Sequence, residues 1–246
     1  MPDRVLVLGA TSAIAHEVGR IYARDGAALA LAARDPDALA ANAADLRARG
    51  ASRVVEVPFD AVDFERHGAA IAEAWDALGG LDAALVAYGL LPDPDRVARD
   101  AEAAVEAFRL NATSAVSVLT HLAGRFERQQ RGTICVITSV AGDRGRPSNY
   151  VYGAAKGAVS LFAGGLRARL AGTGVRVVTV KPGLVDTPMT AHIPKSPLFA
   201  DPARVGRAVH RAMTRGGDVV YTPAFWRPVM TAVRAIPERV FKRLSL

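Results

Sequence analysis

Tyr152, Lys156 and Ser139 are the residues of this 246-residue chain whose types and spacing can do chemistry together. They fall in ITSVAGDRGRPSNYVYGAAKGAV, residues 137–159. A Tyr and a Lys four residues apart on a helix project from one face, about 5–6 Å apart at Cβ. A free phenol, with a pKa of about 10, is a poor acid and a poor base at neutral pH. A neighbouring ammonium favours the phenolate, so the expectation is a Tyr152 pKa lowered towards the working range of an acid–base catalyst. Ser139, at the end of a strand pattern, can hold a carbonyl or hydroxyl oxygen against the phenol. A surface lysine and a half-buried tyrosine sharing a helix give the same spacing by chance, so the pair alone does not decide. The elements around it do.

Aliphatic runs alternate with longer alanine-rich segments along the whole chain. RVLVLG (4–9), ALALAA (28–33), RVVEVPF (53–59), LDAALVAY (81–88), GTICVITS (132–139), VRVVTVKP (175–182) and DVVYT (218–222) read as strands. Helices are predicted over 13–25, 36–49, near 63–77, around 98–129 and over 149–171. Uniformly apolar strands separated by helices indicate a parallel sheet covered on both faces. The predicted fold is α/β: one domain with a doubly wound, Rossmann-like parallel sheet of about seven strands flanked by helices. The catalytic domain is expected over 1–222, with a basic amphipathic helical extension over 223–246.

Ligands of such a sheet bind beyond the carboxyl ends of its strands. Gly9, Arg34, Asp60, Gly89, Ser139 and Pro182-Gly183 each follow a predicted strand. A random scatter of these residue types would not respect strand ends.

In LGATSAIAHE (8–17) Gly9 permits a tight turn, and Thr11 and Ser12 offer hydroxyls where the first helix begins. Exposed N–H groups there suit a pyrophosphate. The strict G-x-G-x-x-G pattern is absent, with Ala13 and Ala15 at two of its positions. Arg34 after strand two suits the 2′-phosphate of NADP(H), where an acid would suit the ribose diol of NAD(H). The alternative is an ion pair with Asp35. Asp60 can accept from an adenine amino group or cap the following helix.

These residues resemble the classical short-chain dehydrogenase/reductase family from Gly9 to about Thr187. GATSAIA is similar to its glycine-rich loop, VAYG (86–89) to its Asn-Asn-Ala-Gly segment, and Asn111 to its helix-borne asparagine. Ser139 with Tyr152-Gly-Ala-Ala-Lys156 is similar to its catalytic set, and KPGLVDTPM (181–189) to its nicotinamide-side segment. Tyr150 lacks a lysine at the fourth position onward. The resemblance implies a catalytic set of Asn111, Ser139, Tyr152 and Lys156. It implies cofactor contacts at Gly9, Thr11, Ser12, Ala13 and Ile14 in the loop, and at Arg34, Asp60 and Ala61 beyond strands two and three. Further contacts fall at Ala87, Tyr88, Gly89 and Asn111, at Tyr152 and Lys156, and at Pro182, Gly183, Val185 and Thr187. It also implies that Tyr152 exchanges a proton with the substrate oxygen, that Lys156 lowers its pKa and binds the ribose, and that Asn111 anchors a water relay. A homodimer or homotetramer through 98–129 and 149–171 follows from the same resemblance. VAYG departs from the family pattern, and bulky Tyr88 is expected to shape the pocket.

The net charge of +7 is uneven: residues 223–246 hold Arg227, Arg234, Arg239, Lys242 and Arg243 against Glu238 alone. The rest is nearly balanced, so nucleic acid is not an expected partner. Phe225, Trp226, Val229, Met230, Val233, Ile236, Val240, Phe241 and Leu244 form a stripe broken near Pro237. It can pack on the body or a partner subunit, or make peripheral contact with a membrane. This tail, with GATSAIA and VAYG, is also similar to bacterial reductases of a decaprenylphosphoryl 2-keto-pentose, which implies a lipid-linked carbonyl substrate. A small-ketone or 3-oxoacyl reductase without a membrane link, and a non-catalytic NADP-sensing or scaffold module, are the competing readings. Residues 190–205 form a long proline-bearing connection, either a mobile lid or a stiff surface loop. Buried-looking Cys135 and five scattered histidines predict no disulfide and no metal site. A cytoplasmic location, with the tail able to meet the inner face of a membrane, is expected; neither a leader nor a run of eighteen apolar residues is present in the sequence.

Overall fold

A computed structural model describes residues 3–244; Ser245 and Leu246, which end the basic tail, lie outside the described residues. Seven parallel strands form one sheet in the order β3-β2-β1-β4-β5-β6-β7: β1 Arg4–Leu8, β2 Ala28–Ala33, β3 Arg53–Pro58, β4 Ala83–Val86, β5 Gly132–Ile137, β6 Val175–Pro182 and β7 Val219–Thr222. The chain winds outward from β1 to β3, returns to the other side of β1, and winds outward again. A crevice therefore opens beyond the carboxyl ends of β1 and β4, where the winding reverses.

The apolar strands bury both faces. In β1, Val5 and Val7 point into one core while Leu6 and Leu8 point into the other. Against the first pack α1 (Ala13–Arg24), α2 (Pro36–Ala48) and α8 (Pro202–Arg215), through Val18, Tyr22, Leu46 and Val209. Against the second pack α3 (His67–Leu78), α6 (Ser114–Gln129) and α7 (Tyr150–Arg169), through Ile71, Leu119, Phe126 and Val159. Cys135 is fully buried in the sheet.

The predicted helical stretch 98–129 divides, and side chains explain where. Asp93 caps α4 (Pro94–Arg99), accepting from the amides of Asp95 and Arg96. Asp100 then leaves helical geometry and caps α5 (Ala101–Phe108) by accepting from the Ala103 amide. Between α5 and α6 the chain makes a π-helical turn over Arg109–Thr113. Asn111 sits in this turn and donates from Nδ2 to the Ala107 carbonyl at 3.0 Å, a bond that competes with the regular helical ladder.

The apolar stripe of the tail becomes α9 (Trp226–Ala235) and the short α10 (Glu238–Phe241), and it lies on the body of the protein. Met230 and Phe241 are buried. Arg144 reaches from the segment after β5 and closes the end of α9: its guanidinium donates to the carbonyls of Val233 at 2.7 Å and Ile236 at 2.6 Å. The same group pairs with Glu238 at 2.9 Å and lies 3.7 Å from the centre of the Phe241 ring. A cation at a helix carboxyl end also meets the negative pole of the helix. Among the described residues no helix is long and apolar enough to cross a membrane.

Candidate active site

A cavity of about 830 Å³ runs along the carboxyl ends of the strands. Gly9, Thr11, Ser12, Ala13, Ile14, Arg34, Asp60, Ala61, Ala87, Tyr88 and Gly89 line it, as do Ser139, Tyr152, Lys156, Pro182, Gly183, Val185 and Thr187. Asn111 alone of the sequence-predicted set stands just behind the wall.

Backbone packing fixes Ser139 against α7. A Cβ on Gly142 would stand 2.6 Å from the Gly157 nitrogen, and one on Gly153 would stand 2.7 Å from the Ala141 oxygen. Those two α7 glycines let the turn after β5 lie directly on the helix that carries Tyr152 and Lys156. Asp143 pins the far end of the turn: its carboxylate, 2% exposed, accepts from Lys181 of β6 and, at 2.8 Å, from the Tyr221 hydroxyl of β7. Ser139 Oγ accepts from the Ala141 amide at 3.1 Å, and its hydroxyl lowers the Tyr152 phenol pKa slightly.

Lys156 is 6% exposed, and its Nζ lies 5.7 Å from the centre of the Tyr152 ring. Gly89 makes room for it: a Cβ there would sit 3.1 Å from Lys156 Nζ and 2.9 Å from Asn111 Oδ1. Asn111 is committed to the backbone, accepting from the Leu90 amide at 2.9 Å and donating to the Leu90 carbonyl at 2.8 Å. The implied water anchor thus retains only spare acceptor capacity on Oδ1.

The electrostatics depart from the expectation that Lys156 lowers the phenol pKa. Burial disfavours the charged form of each group. It pushes the Tyr152 phenol up to about 12 against a smaller lowering by the Ser139 hydrogen bond, and it pulls the Lys156 ammonium down to about 8. The phenol therefore holds its proton at neutral pH and can donate it, and the nearby ammonium can stabilise a phenolate.

At the opposite end, Gly9 takes φ +81°, and a Cβ would stand 2.6 Å from the Tyr88 nitrogen, so the turn after β1 needs glycine. Ser12 is the N-cap of α1 yet makes no side-chain capping bond, which leaves its hydroxyl and the helix amino end facing the cavity. Asp35 spends its carboxylate on the amides of Asp37 and Ala38 as the α2 cap. Arg34 forms no ion pair among the described residues. Asp60 accepts from the Val62 amide at 3.0 Å, a local turn before the helix rather than a cap on it. Tyr88 shapes the wall with its ring, 5.6 Å from Phe59 by centroids, while its hydroxyl turns away to Ser114 at 2.8 Å.

Several lining residues are not evident from sequence. Trp226, Val229, Met230 and Val233 of α9 close one end, with the Trp226 indole over Gly183, where a Cβ would collide at 1.9 Å. Their helical spacing was visible, but not the surface they cover. Ile193 and Leu198 also face the cavity from the 190–205 connection. That connection is anchored by Thr190 Oγ1 to the Val185 carbonyl at 2.6 Å and by the Val185–Ala200 bridge.

Burial of Lys156 has a thermodynamic consequence with a definite sign. Its folded-state pKa lies below the ordinary 10.5, so at pH 7 the folded chain bears the full cost of burying the ammonium. The cost falls as pH rises from about 8 towards 10.5. Lys156→Met is expected to stabilise the fold at pH 7 by about 2–3 kcal/mol, and by less at pH 9.5. Denaturant melts at the two pH values measure this; equal stability of both chains at pH 7 contradicts it.

A family model described as short chain dehydrogenase matches residues 3–197. An uncharacterized oxidoreductase of Mycobacterium tuberculosis is 41% identical over 240 residues, covering 98% of this chain and 96% of the relative. Another from Streptomyces coelicolor is 38% identical over 247 residues, covering 99% and 96%. Two solved structures share the fold. A short chain dehydrogenase from Burkholderia cenocepacia in complex with NADP has a TM-score of 0.83 at 24% identity, covering 98% of this chain and 97% of that one. Levodione reductase has a TM-score of 0.81 at 20% identity, covering 89% and 95%. The family match takes in the segments after β1 to β6 that line the crevice and stops short of β7 and α9. The chain is an oxidoreductase that belongs to the short-chain dehydrogenase family.

Proposed function

We propose that this protein is an NADP(H)-dependent carbonyl reductase or alcohol dehydrogenase working through Ser139, Tyr152 and Lys156. The observation that carries the reading is that Ser139, Tyr152 and a buried Lys156 stand together in the wall of one long cavity, the ammonium 5.7 Å from the centre of the phenol ring. The wall suits a dinucleotide at its β1–β3 end: an obligatory glycine turn, a helix amino end with its cap hydroxyl uncommitted, and Asp60. Arg34, with no carboxylate engaged, favours the 2′-phosphate form. The NADP found in the Burkholderia cenocepacia structure is consistent with this choice.

A nicotinamide cofactor, when bound, supplies or accepts hydride. The protein's own residues handle the oxygen and its proton. In reduction, the Ser139 hydroxyl and Tyr152 phenol bracket the carbonyl oxygen. The phenol O–H bond breaks as its proton passes to that oxygen, giving the alcohol and a phenolate. Lys156 then stabilises the phenolate, an ion that burial alone disfavours. Oxidation runs the same transfer backwards and needs Tyr152 deprotonated, so it is expected to speed up with rising pH. Asn111 acts as a positioning residue, holding the Leu90 backbone and the space over Gly89 that admits Lys156. The segment 223–246 we assign to covering the substrate end, where α9 presents Trp226, Val229 and Val233.

Two measurements test the reading. Tyr152→Phe is expected to lower kcat for ketone reduction by about a thousand-fold while leaving NADPH affinity, followed by fluorescence titration, within roughly two-fold. Full activity in that variant overturns the mechanism, and NADPH binding without turnover across a panel of ketones favours a sensor. Arg34→Ala is expected to weaken NADPH binding by about ten-fold or more with little change for NADH. An equal effect on both cofactors refutes the 2′-phosphate assignment.

A further inference from the structure

We propose that Arg146 reads an anionic group, a carboxylate or a phosphate, on a substrate whose remaining body is apolar. The inference rests on the carbonyl-reductase reading of the site and names the class of substrate it takes.

Arg146 lies on the segment that joins the Ser139 turn to α7, six residues before Tyr152, and its side chain lines the cavity. A local turn fixes its backbone, with the Asn149 amide donating to the Arg146 carbonyl at 3.1 Å. Its Nε is sealed from solvent and has no hydrogen-bond acceptor among the described residues. Desolvation is the one influence that moves its pKa, downward, and no carboxylate offsets it. A half-buried guanidinium without a partner opposes folding.

The contrast with neighbouring cations gives this weight. Arg144, two residues earlier, is matched by Glu238, backbone carbonyls and the Phe241 ring. Lys181 is matched by Asp143. The same region thus satisfies two of its cations and leaves the third facing a cavity. A local rule broken at a site, in a protein that obeys it close by, is what ligand recognition produces.

The anion is the substrate's and not the cofactor's 2′-phosphate. Arg34 follows β2, whereas the Arg146 segment follows β5, three strand spacings across the sheet. That separation is roughly 14 Å, so the two arginines serve opposite ends of the cavity. Aliphatic side chains of Ile193, Leu198, Val229 and Val233 line the same cavity. A planar guanidinium fork suits an oxyanion, and the aliphatic lining suits a hydrocarbon chain.

Binding of octanoate, octyl phosphate and octanol to the full-length chain, at constant ionic strength, tests this without requiring turnover. Trp226 fluorescence reports occupancy, because the second tryptophan, Trp75, packs on Phe126 in the core. The expected result is that octanoate, octyl phosphate or both bind at least about ten-fold more tightly than octanol. The stronger of the two distinguishes carboxylate from phosphate. Arg146→Met is expected to bring both anions to the octanol level. A thermal melt verifies that the variant folds, with Arg146→Gln as the substitute if it does not. Anions binding no better than octanol to the parent chain, or a preference that survives the loss of Arg146, overturns the proposal. Tyr152→Phe is expected to keep the anion preference, so failure of the reductase reading and failure of this one give different results.

Discussion

A lysine ammonium buried in the wall of the cavity is the constraint on which the site depends. Burial makes Tyr152 a proton holder and Lys156 a reluctant cation. At neutral pH only the lysine shift is costly to the fold, because the phenol is neutral whether the chain is folded or not. The two shifts have a common use. A phenol that keeps its proton is ready to give it, and an ammonium with little solvation responds strongly to the phenolate that results. The surrounding structure supplies the restraint that keeps phenol and ammonium side by side.

That restraint comes largely from backbone-to-backbone approach. Gly142, Gly153 and Gly157 bring the Ser139 turn onto α7, and Gly89 opens the space that Lys156 Nζ and Asn111 Oδ1 share. Charges then lock the arrangement from behind. Asp143 joins the turn to β6 and β7 through Lys181 and Tyr221, and Arg144 joins it to the end of α9. The Ser139 turn, α7 and α9 are therefore tied into one mechanical unit. The α9 cover lies beyond the stretch that the family model matches.

The sheet and the residues that line its crevice are legible in the sequence because both follow from short-range rules. Aliphatic runs bounded by helical segments give a parallel sheet, and chemistry-bearing residues at strand ends mark the crevice. Three things were not legible. The division of the 98–129 stretch turns on Asp100 acting as a cap and on Asn111 bonding to Ala107, choices that a helical pattern does not record. The destination of the α9 stripe depends on Gly183 accepting the Trp226 indole, a contact between residues forty-three positions apart. The direction of the Tyr152 shift was misjudged because helical spacing reveals the neighbouring charge but not the burial that outweighs it.

Titration of the lysine side chains by NMR tests the central claim most directly. The chain has four lysines, so ε-methylene signals of isotope-labelled protein are few, and their assignment is completed by the Lys156→Met spectrum. The account requires the Lys156 signal to titrate at about 8. A Lys156 that titrates at or above the ordinary 10.5 would contradict it, because the ammonium would then be solvated or paired and not held in reserve for the phenolate.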